Sequence, residues 1–363
     1  MKHLFLPAII CRWLDERNGR PANWLDPAYP DFHRPQALIS HAVWSGLDMP
    51  PVLDHARKNG FLLGDSGGFS IVSRGVSLDP VNVIRWQQKH CTVGVILDVP
   101  PYRISGRAYQ SAGDIWDASL KRTLDNVCRG LEHYDYEGDS FRWWGVVQGE
   151  NQEQMQRWYE AVAKIYPFNR PGEGWAIKPT PANNFYSMVR SVRFIQENKV
   201  KRVHMLMTTG IKTVAVLLGM LHLTGPIELV TYDSASAGIY TGNRHAWRIR
   251  DHGLTLAEWL PRVYTPKDFF EMPCTCPPCT WFKEEYKENP NLEDPLFIDR
   301  LALHNHLILF DFFDRIGKLA EKDPEKLIKT YTKANYGDIM RALRQGEVVR
   351  RSVSRPVKLV DRI

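Results

Sequence analysis

The sequence predicts an α/β protein built as a (β/α)8 TIM barrel with a zinc-binding subdomain near the C-terminus. Three observations favour this fold. Short apolar runs alternate with helical patterns between residues 3 and 233, several of these runs end in a polar residue, and three cysteines crowd into residues 274–279. A chain of 363 residues is long enough for one large barrel or for two ordinary domains.

The apolar runs have the character of strands that are buried on both faces of a parallel sheet. They are His3–Ile9, Ala37–Trp44, Phe61–Asp65, Val93–Asp98, Trp143–Gln148, Gly174–Ile177, Val203–Met207 and Ile227–Asp233. Helical patterns lie between them, at Pro80–His90, Asp114–His133, Gln152–Ile165, Asn184–Asn198 and Lys212–Leu221. This alternation implies right-handed βαβ units, and about eight units fit a barrel. A doubly wound sheet is the alternative that the pattern leaves open.

Four polar residues stand at the ends of predicted strands: Asp65, Asp98, Gln148 and Asp233. Catalytic groups of a (β/α)8 barrel lie at the C-terminal ends of different strands, so we expect these four to face one site. Polar residues that simply end apolar strands would explain one or two of them more easily than four. Asp65 lies in the turn Gly64–Ser70, whose glycines let the backbone approach a ligand closely. Asp65 is therefore a candidate acid or base.

The cysteine cluster predicts a metal site. Cys274, Cys276 and Cys279 can converge on one tetrahedral Zn²⁺, which then requires a fourth ligand. His304 is the better candidate because it lies in a predicted helix, Pro295–Lys318, on an apolar face. That face comprises Phe297, Leu301, Ile308 and Phe312, and His306 points elsewhere. With four protein ligands, the single zinc ion would be structural rather than catalytic.

These patterns divide the chain into a barrel with the active site (1–270), a zinc-binding segment and its helix packed on the barrel (271–318), and a basic C-terminal tail (319–363). The net charge is +6, and residues 341–363 contain seven Lys or Arg against two acidic residues. Such a segment suits a phosphate backbone, although a charge run is also typical of a merely solvated surface.

No run approaches 18 apolar residues, and the first residues are too few for a signal peptide. We therefore expect a soluble, cytoplasmic protein, of a bacterial host or encoded by a phage. The remaining cysteines, Cys11, Cys91 and Cys128, are interpreted as isolated buried thiols.

Together these motifs resemble the tRNA-guanine transglycosylase superfamily, in order and approximate spacing across about residues 60–310. The family is a zinc-bearing TIM barrel that exchanges guanine in a polynucleotide for a 7-deazaguanine base. The motifs that carry the resemblance are Asp65-Ser66-Gly67-Gly68-Phe69, Leu97-Asp98, Val147-Gln148-Gly149, Tyr232-Asp233, and Cys274-x-Cys276-x-x-Cys279 with His304-Asn305.

The resemblance implies a role for each matched residue. Asp233 would be the nucleophile that attacks C1′ of the nucleotide, and Asp65 would be the general acid/base. Asp98 and Gln148 would hydrogen-bond the edge of the guanine-like base. The full set of implied base-binding residues is Ser66, Gly68, Phe69, Asp98, Gln148, Gly149 and Leu206.

Departures from the family pattern favour DNA as the polymer. After Asp233 the chain continues Ser234-Ala235-Ser236-Ala237-Gly238, without the arginine pair by which bacterial members contact tRNA. Ser70 replaces their glutamine, and residues 319–363 are too few for the RNA-binding domain of archaeal members. The sequence therefore resembles the DNA-modifying branch, which inserts 7-deazaguanines such as a preQ0-like base. A divergent tRNA enzyme and a non-catalytic nucleic-acid-binding partner subunit are the alternatives.

The expected partners are DNA, in preference to tRNA, and a 7-deazaguanine base. Five arginines are candidates for contacts with flanking phosphates, although surface arginines are usually just solvated: Arg244, Arg248, Arg250, Arg350 and Arg351. No membrane contact is expected. A homodimer or an accessory protein is compatible with the sequence.

Overall fold

The computed structural model describes residues 1–9, 24–105, 108–111, 113–138, 140–179, 184–206, 208, 210–234, 241, 243–249, 256–258, 262–291 and 294–345. Its strands, in chain order, are β1 (Lys2–Pro7), β2 (Gln36–Ser40), β3 (Phe61–Asp65), β4 (Val93–Val95), β5 (Tyr102–Ser105), β6 (Ala108–Ser111), β7 (Arg142–Val147), β8 (Gly174–Ile177), β9 (Arg202–Met205), β10 (Leu229–Ser234), β11 (Trp247–Ile249) and β12 (Leu256–Glu258).

The α-helices are α1 (His41–Trp44), α2 (Pro51–Asn59), α3 (Gly68–Arg74), α4 (Pro80–His90), α5 (Gly113–Leu131), α6 (Gln152–Ile165), α7 (Phe185–Glu197), α8 (Ile211–Thr224), α9 (Pro266–Glu271), α10 (Pro277–Glu288), α11 (Asp294–Lys322), α12 (Pro324–Thr332) and α13 (Tyr336–Gln345). Several begin where the sequence supplies a capping side chain. Asp79 accepts a hydrogen bond from Asn82 N at the start of α4, and Asn151 accepts one from Gln154 N at the start of α6.

Eight parallel strands form the barrel, in the order β1-β10-β9-β8-β7-β4-β3-β2. The first and last strands of this order meet through a parallel bridge between Ala8 and Leu38, where Ile9 N donates to Leu38 O at 2.9 Å. From β2 to β10, at least one helix lies between each barrel strand and the next, as βαβ units require. The predicted (β/α)8 barrel is confirmed. The alternative doubly wound sheet is wrong, because β1 lies between β10 and β2 rather than at an open edge.

The eight predicted strands are the eight barrel strands, and their ends differ by a few residues. The second prediction ran on to Trp44, but β2 ends at Ser40 and the chain turns directly into α1. The fourth ran to Asp98, whereas the ladder of β4 stops at Val95. Two antiparallel pairs, β5–β6 and β11–β12, lie outside the barrel sheet and were not predicted.

The C-terminal subdomain, formed by α9, α10 and the first two turns of α11, has a small apolar core of its own. Its buried residues are Ala246, Val263, Phe269, Met272, Cys279, Phe282, Phe297 and Leu301. This core therefore begins before residue 271. The second half of α11 leaves it and joins the barrel core through residues such as Phe310, Phe313 and Ile316.

Residues 324–345 are helical and pack on the barrel, with α12 against α8 and α13 against α7. Leu327, Ile328 and Ile339 are fully buried there. The segment that was interpreted as a basic tail thus starts with two packed helices, because apolar residues at helical spacing lie between its charges. Among the residues described, no helix is both long and apolar enough to cross a bilayer.

The isolated cysteines do not share one environment. Cys91 is buried, as predicted, but Cys128 is exposed on α5, so its assignment as a buried thiol was wrong. It follows Val127 on the helix, and the side chain of Val127 takes the inward position instead. Cys11 lies outside the described residues.

Candidate active site and metal centre

The polar residues predicted at strand ends do lie at the C-terminal ends of barrel strands. Asp65 is the last residue of β3, Gln148 follows β7, and Asp233 is the penultimate residue of β10. Asp98 comes three residues after β4. Since all eight strands are parallel, these ends meet at one mouth of the barrel, which is where enzymes of this fold place their chemistry.

Asp65 is held by its neighbours in a fixed orientation. Its Oδ2 accepts hydrogen bonds from Ser40 Oγ at 2.9 Å and from the backbone N–H of Gly67 at 3.1 Å. Gly67 has φ of 82°, a conformation that glycine adopts without strain, and the helix α3 begins directly after it. Burial raises the pKa of Asp65, the Ser40 hydrogen bond opposes this rise, and the charge of Asp233 adds to it. The two carboxyl groups therefore influence each other.

Asp98 and Gln148 form a buried hydrogen-bonded pair. Gln148 Nε2 donates to Asp98 Oδ2 at 2.7 Å, and Asp98 is only 6% exposed. Burial raises the pKa of Asp98 to about 6, and the hydrogen bond from Gln148 limits the rise. The segment around Asp98 is anchored by Asn126, which donates to Leu97 O at 3.0 Å.

Two glycines beside the Asp98–Gln148 pair, Gly68 and Gly149, have no room for a side chain. A Cβ atom on Gly68 would lie 2.4 Å from the carbonyl oxygen of Asp98, and one on Gly149 would lie 2.6 Å from Met155 N. Ser66 is buried, and its Oγ accepts from Gly68 N at 3.4 Å. Close backbone packing of this kind is the reason these positions carry glycine.

Lys178 belongs to the same site and was missed from the sequence. It follows β8, is 8% exposed, and its Nζ lies 5.8 Å from the centre of the Phe69 ring. Burial lowers the pKa of Lys178 to about 8, and the charge of Asp98 acts in the opposite direction. Lys178 thus lies near the ring of Phe69 and interacts electrostatically with Asp98. Leu206, half-buried, directly follows the adjacent strand β9 and donates its N–H to Ile177 O.

His204 also approaches the site and was not predicted. It lies inside β9, is fully buried, and its Nδ1 is 2.9 Å from Thr231 Oγ1. Its Nε2 lies 3.4 Å from Oδ1 of Asp233, whose side chain is 19% exposed. Asp233 therefore meets solvent at the mouth on one side and a buried imidazole on the other.

Cys274, Cys276, Cys279 and His304 come together as predicted, with all four ligand atoms within 4.8 Å of one another. The three Sγ atoms lie 3.7, 3.3 and 3.4 Å from Nδ1 of His304. Three sulfurs and one imidazole nitrogen at such spacing can hold a metal ion with no ligand position left over. The site lies in the C-terminal subdomain, whose core includes Cys279.

Surrounding groups orient these ligands. Nε2 of His304 lies 2.8 Å from Trp247 O, so an Nε2–H that donates there leaves Nδ1 free to bind a metal. Lys283 Nζ donates to the carbonyls of Met272 and Cys274 at 2.6 and 2.9 Å. Asn305 Nδ2 donates to His245 O at 2.8 Å. The loop before β11 is thereby fixed to α11.

The two candidate phosphate-binding arginines that the structure describes have different surroundings. The guanidinium of Arg244 lies 5.0 Å above the ring of Phe297, against the subdomain core, and Arg248 is exposed on β11. Arg250, Arg350 and Arg351 lie outside the described residues.

The fold and its two clusters define a class: a (β/α)8 barrel with carboxylates at the mouth and a Cys3His metal-binding cluster in a C-terminal subdomain. No protein-family model matches this chain, and a search of curated proteins finds no match.

Proposed function

We propose that the chain is a base-exchange transglycosylase of the tRNA-guanine transglycosylase superfamily, which replaces guanine in DNA with a 7-deazaguanine base such as preQ0. The observation that carries the proposal is that two carboxyl groups in different environments, Asp65 and Asp233, lie at the same mouth of the barrel. The hydrogen-bonded Asp98–Gln148 pair lies at this mouth too. Base exchange needs a nucleophile, a proton donor and a group that reads the base edge, and this set supplies all three.

Asp233 is the nucleophile in this proposal. Its carboxylate oxygen forms a bond to C1′ as the C1′–N bond to guanine breaks, which gives a covalent glycosyl ester. The incoming base then attacks C1′ from the face that guanine left, so two inversions preserve the anomeric configuration. The partial exposure of the Asp233 side chain at the mouth supports this role.

Asp65 is the proton donor to the departing guanine and the acceptor from the incoming base. An acid must be protonated when the bond breaks, and the raised pKa of Asp65 enlarges its protonated fraction at a given pH. Ser40 and Gly67 both bind Oδ2, which leaves Oδ1 for the base. The negative charge of Asp233 favours protonation of Asp65 until the ester forms.

The Asp98–Gln148 pair recognises the base. A carboxylate accepts from the amino and N–H groups of a guanine-type edge, and the amide of Gln148 offers a further acceptor and donor. Phe69 and Leu206 would pack against the ring, and Ser66, Gly68 and Gly149 complete the pocket. Lys178 adds a buried cation beside Asp98, which stabilises the carboxylate form.

Zinc is the metal that best fits the Cys3His cluster. Bond lengths of about 2.3 Å to sulfur and 2.0–2.1 Å to nitrogen place tetrahedral S and N ligands about 3.6 Å apart. The observed Sγ···Nδ1 distances of 3.3–3.7 Å agree with that value. A zinc ion in this site has four protein ligands and would stabilise the subdomain rather than take part in the reaction.

DNA is favoured over tRNA by the sequence after Asp233, which lacks the arginine pair of the bacterial tRNA enzymes. A guanine in duplex DNA must leave the stack to reach a barrel mouth. An accessory protein or a second copy of the chain could assist this step. A comparison of single-stranded with duplex DNA tests whether the enzyme opens the duplex itself.

Incubation of the purified protein with labelled guanine and, separately, with DNA and tRNA tests the proposal. We expect label in DNA and a denaturation-resistant protein–DNA adduct, both lost in Asp233→Asn. Asp117→Asn, an exposed carboxylate on α5, is the matched control and should keep full activity. Label in tRNA alone would replace DNA with tRNA as the substrate. Exchange that persists in Asp233→Asn would reject the nucleophile, and no exchange on either polymer would favour a non-catalytic subunit.

A further inference from the structure

A buried imidazole lies behind the proposed nucleophile. In the parallel ladder between β9 and β10, His204 is directly opposite Thr231. Asp233 is two residues after Thr231 on the same strand, so both side chains point to the same face of the sheet. The ring of His204 therefore reaches both: Nδ1 is 2.9 Å from Thr231 Oγ1, and Nε2 is 3.4 Å from Asp233 Oδ1.

The two ring nitrogens have different environments. Nδ1 has the hydroxyl of Thr231 as its partner, whereas Nε2 is buried and has no hydrogen-bond partner among the described residues. A buried polar atom without a hydrogen bond is unfavourable and is rare in folded proteins. The only acid within ion-pair distance of Nε2 in the described part of the chain is Asp233. Catalytic hydrogen bonds are often long before substrate binds and tighten in the complex.

We infer that His204 is a positioning residue for Asp233, which holds Oδ1 so that the carboxylate is oriented for attack through Oδ2. The inference rests on the proposed function, because it assigns His204 to the nucleophile of that reaction. Thr231 Oγ1–H donates to Nδ1, the neutral ring carries its proton on Nε2, and Nε2–H donates to Oδ1.

This arrangement defines the covalent step. Oδ2 of Asp233 forms the bond to C1′, the C1′–N bond breaks, and Asp65 protonates the departing base. Oδ1 becomes the carbonyl oxygen of the ester and keeps its hydrogen bond from Nε2–H, so His204 transfers no proton. Orientation before attack removes rotational freedom of the carboxylate that would otherwise slow the reaction.

Three variants test the inference. His204→Leu removes the donor, and His204→Gln keeps an N–H donor near the position of Nε2. Thr231→Val removes the hydroxyl that orients the ring while keeping its shape. We expect His204→Leu to slow formation of the protein–DNA adduct by roughly 10- to 100-fold. Affinity for the free base should be unchanged, because Asp98 and Gln148 are intact. His204→Gln should recover much of the rate, and Thr231→Val should be intermediate.

A merely structural histidine would give a different pattern. The glutamine and leucine variants would then lose melting temperature and adduct rate to the same degree, and that result would overturn the inference. An unchanged adduct rate in His204→Leu would also overturn it while the proposed function stands. If the wild-type protein forms no adduct and exchanges no base on DNA or tRNA, the proposed function fails and the inference fails with it.

Nitrogen-15 NMR of the imidazole provides a readout that does not depend on activity. We expect a neutral ring with its proton on Nε2, and a change in the Nε2 signal in Asp233→Asn. A proton on Nδ1 of a neutral ring would contradict the assignment, because Nε2 could not then donate to Asp233.

Discussion

The buried carboxyl group of Asp98 is unfavourable for stability in its charged form. Its role in the proposed function explains why the residue is there. It is buried, and burial raises its pKa to about 6 from an ordinary value of 3.8. Its protonated form therefore fits the folded state better than its charged form. The stabilisation from proton binding is complete below the ordinary value and is lost as pH rises through about 6.

Asp98→Asn should consequently increase the free energy of unfolding at pH 8, by about 1–3 kcal/mol, because the buried charge disappears. At pH 4 the two proteins should differ little. Chemical denaturation at both pH values measures the difference, and binding of the free base should be lost in the same variant. Asp117→Asn, 73% exposed, should show neither effect. A variant that is less stable than wild type at pH 8 would contradict the argument.

Gly68 is constrained by the backbone of Asp98. In Gly68→Ala the new methyl group would lie 2.4 Å from Asp98 O and 2.8 Å from Oδ1, so the Asp98 segment must move. We expect base affinity to fall at least tenfold, since the carboxylate is displaced from Gln148. Titration of the free base against Gly68→Ala measures this. Gly337→Ala, where no atom lies within 4 Å of the new methyl group, should bind like wild type.

Strand-end carboxylates were predictable, whereas two of their partners were not. Lys178 carried the same signal as Gln148, a polar residue directly after an apolar strand, but lysine is mostly exposed in proteins, so its type alone did not indicate a buried site residue. His204 carried no such signal. It stands inside a strand, and only the register that pairs it with Thr231 brings it close to Asp233. Register depends on pairing between segments far apart in sequence, which one sequence does not show.

Among the elements, α10 and α11 are the ones that a metal ion in the Cys3His cluster would stabilise. Their packing joins Cys279, Phe282 and Phe297 in a core of only eight buried residues. A core of this size gives little stability by itself, and a metal ion held by the four ligands would compensate for this. The ligand pattern was predictable because Cys-x-Cys-x-x-Cys is specific. The helices α12 and α13 were not predicted, because the segment was interpreted from its charged residues and not from the helical spacing of its apolar residues.

Cys276→Ser should abolish metal binding and unfold the subdomain, because three ligands no longer fill a tetrahedral site. Metal analysis by mass spectrometry should give about one zinc per wild-type chain and almost none in the variant. Cys128→Ser, an exposed cysteine on α5, is the control and should retain the metal. A well-folded Cys276→Ser protein with full zinc content would contradict a structural metal site.

Lys283 should influence the metal without being a ligand. Its ammonium group donates to the carbonyls of Met272 and Cys274, which fixes the loop that carries the first cysteine. Lys283→Met keeps the length of the side chain and removes both hydrogen bonds. We expect zinc affinity to fall roughly 10- to 100-fold in a chelator competition. Lys287→Met, one turn further along α10, should leave the affinity unchanged.

At the scale of the whole molecule, α11 connects two cores. Phe297 and Leu301 lie in the subdomain core, and residues from Leu303 to Ala320 lie in the barrel core. Removal of the metal should therefore loosen the N-terminal part of this helix and leave the remainder packed. Hydrogen exchange after chelation should increase in residues 263–301 and stay low in the barrel strands. Equal loss of protection in both regions would show that the two cores unfold as one unit.

Closure of the barrel joins segments made at very different times during synthesis. Lys2–Pro7 pairs with Leu229–Ser234. At about 5–20 residues per second, a ribosome needs roughly 10–50 s to make the chain between them. During that interval Phe5 and Leu6, both buried in the finished protein, have only one neighbouring strand available. The strand β1 thus leaves the ribosome long before its pairing is complete, and its apolar residues give a chaperone a binding segment until β10 arrives.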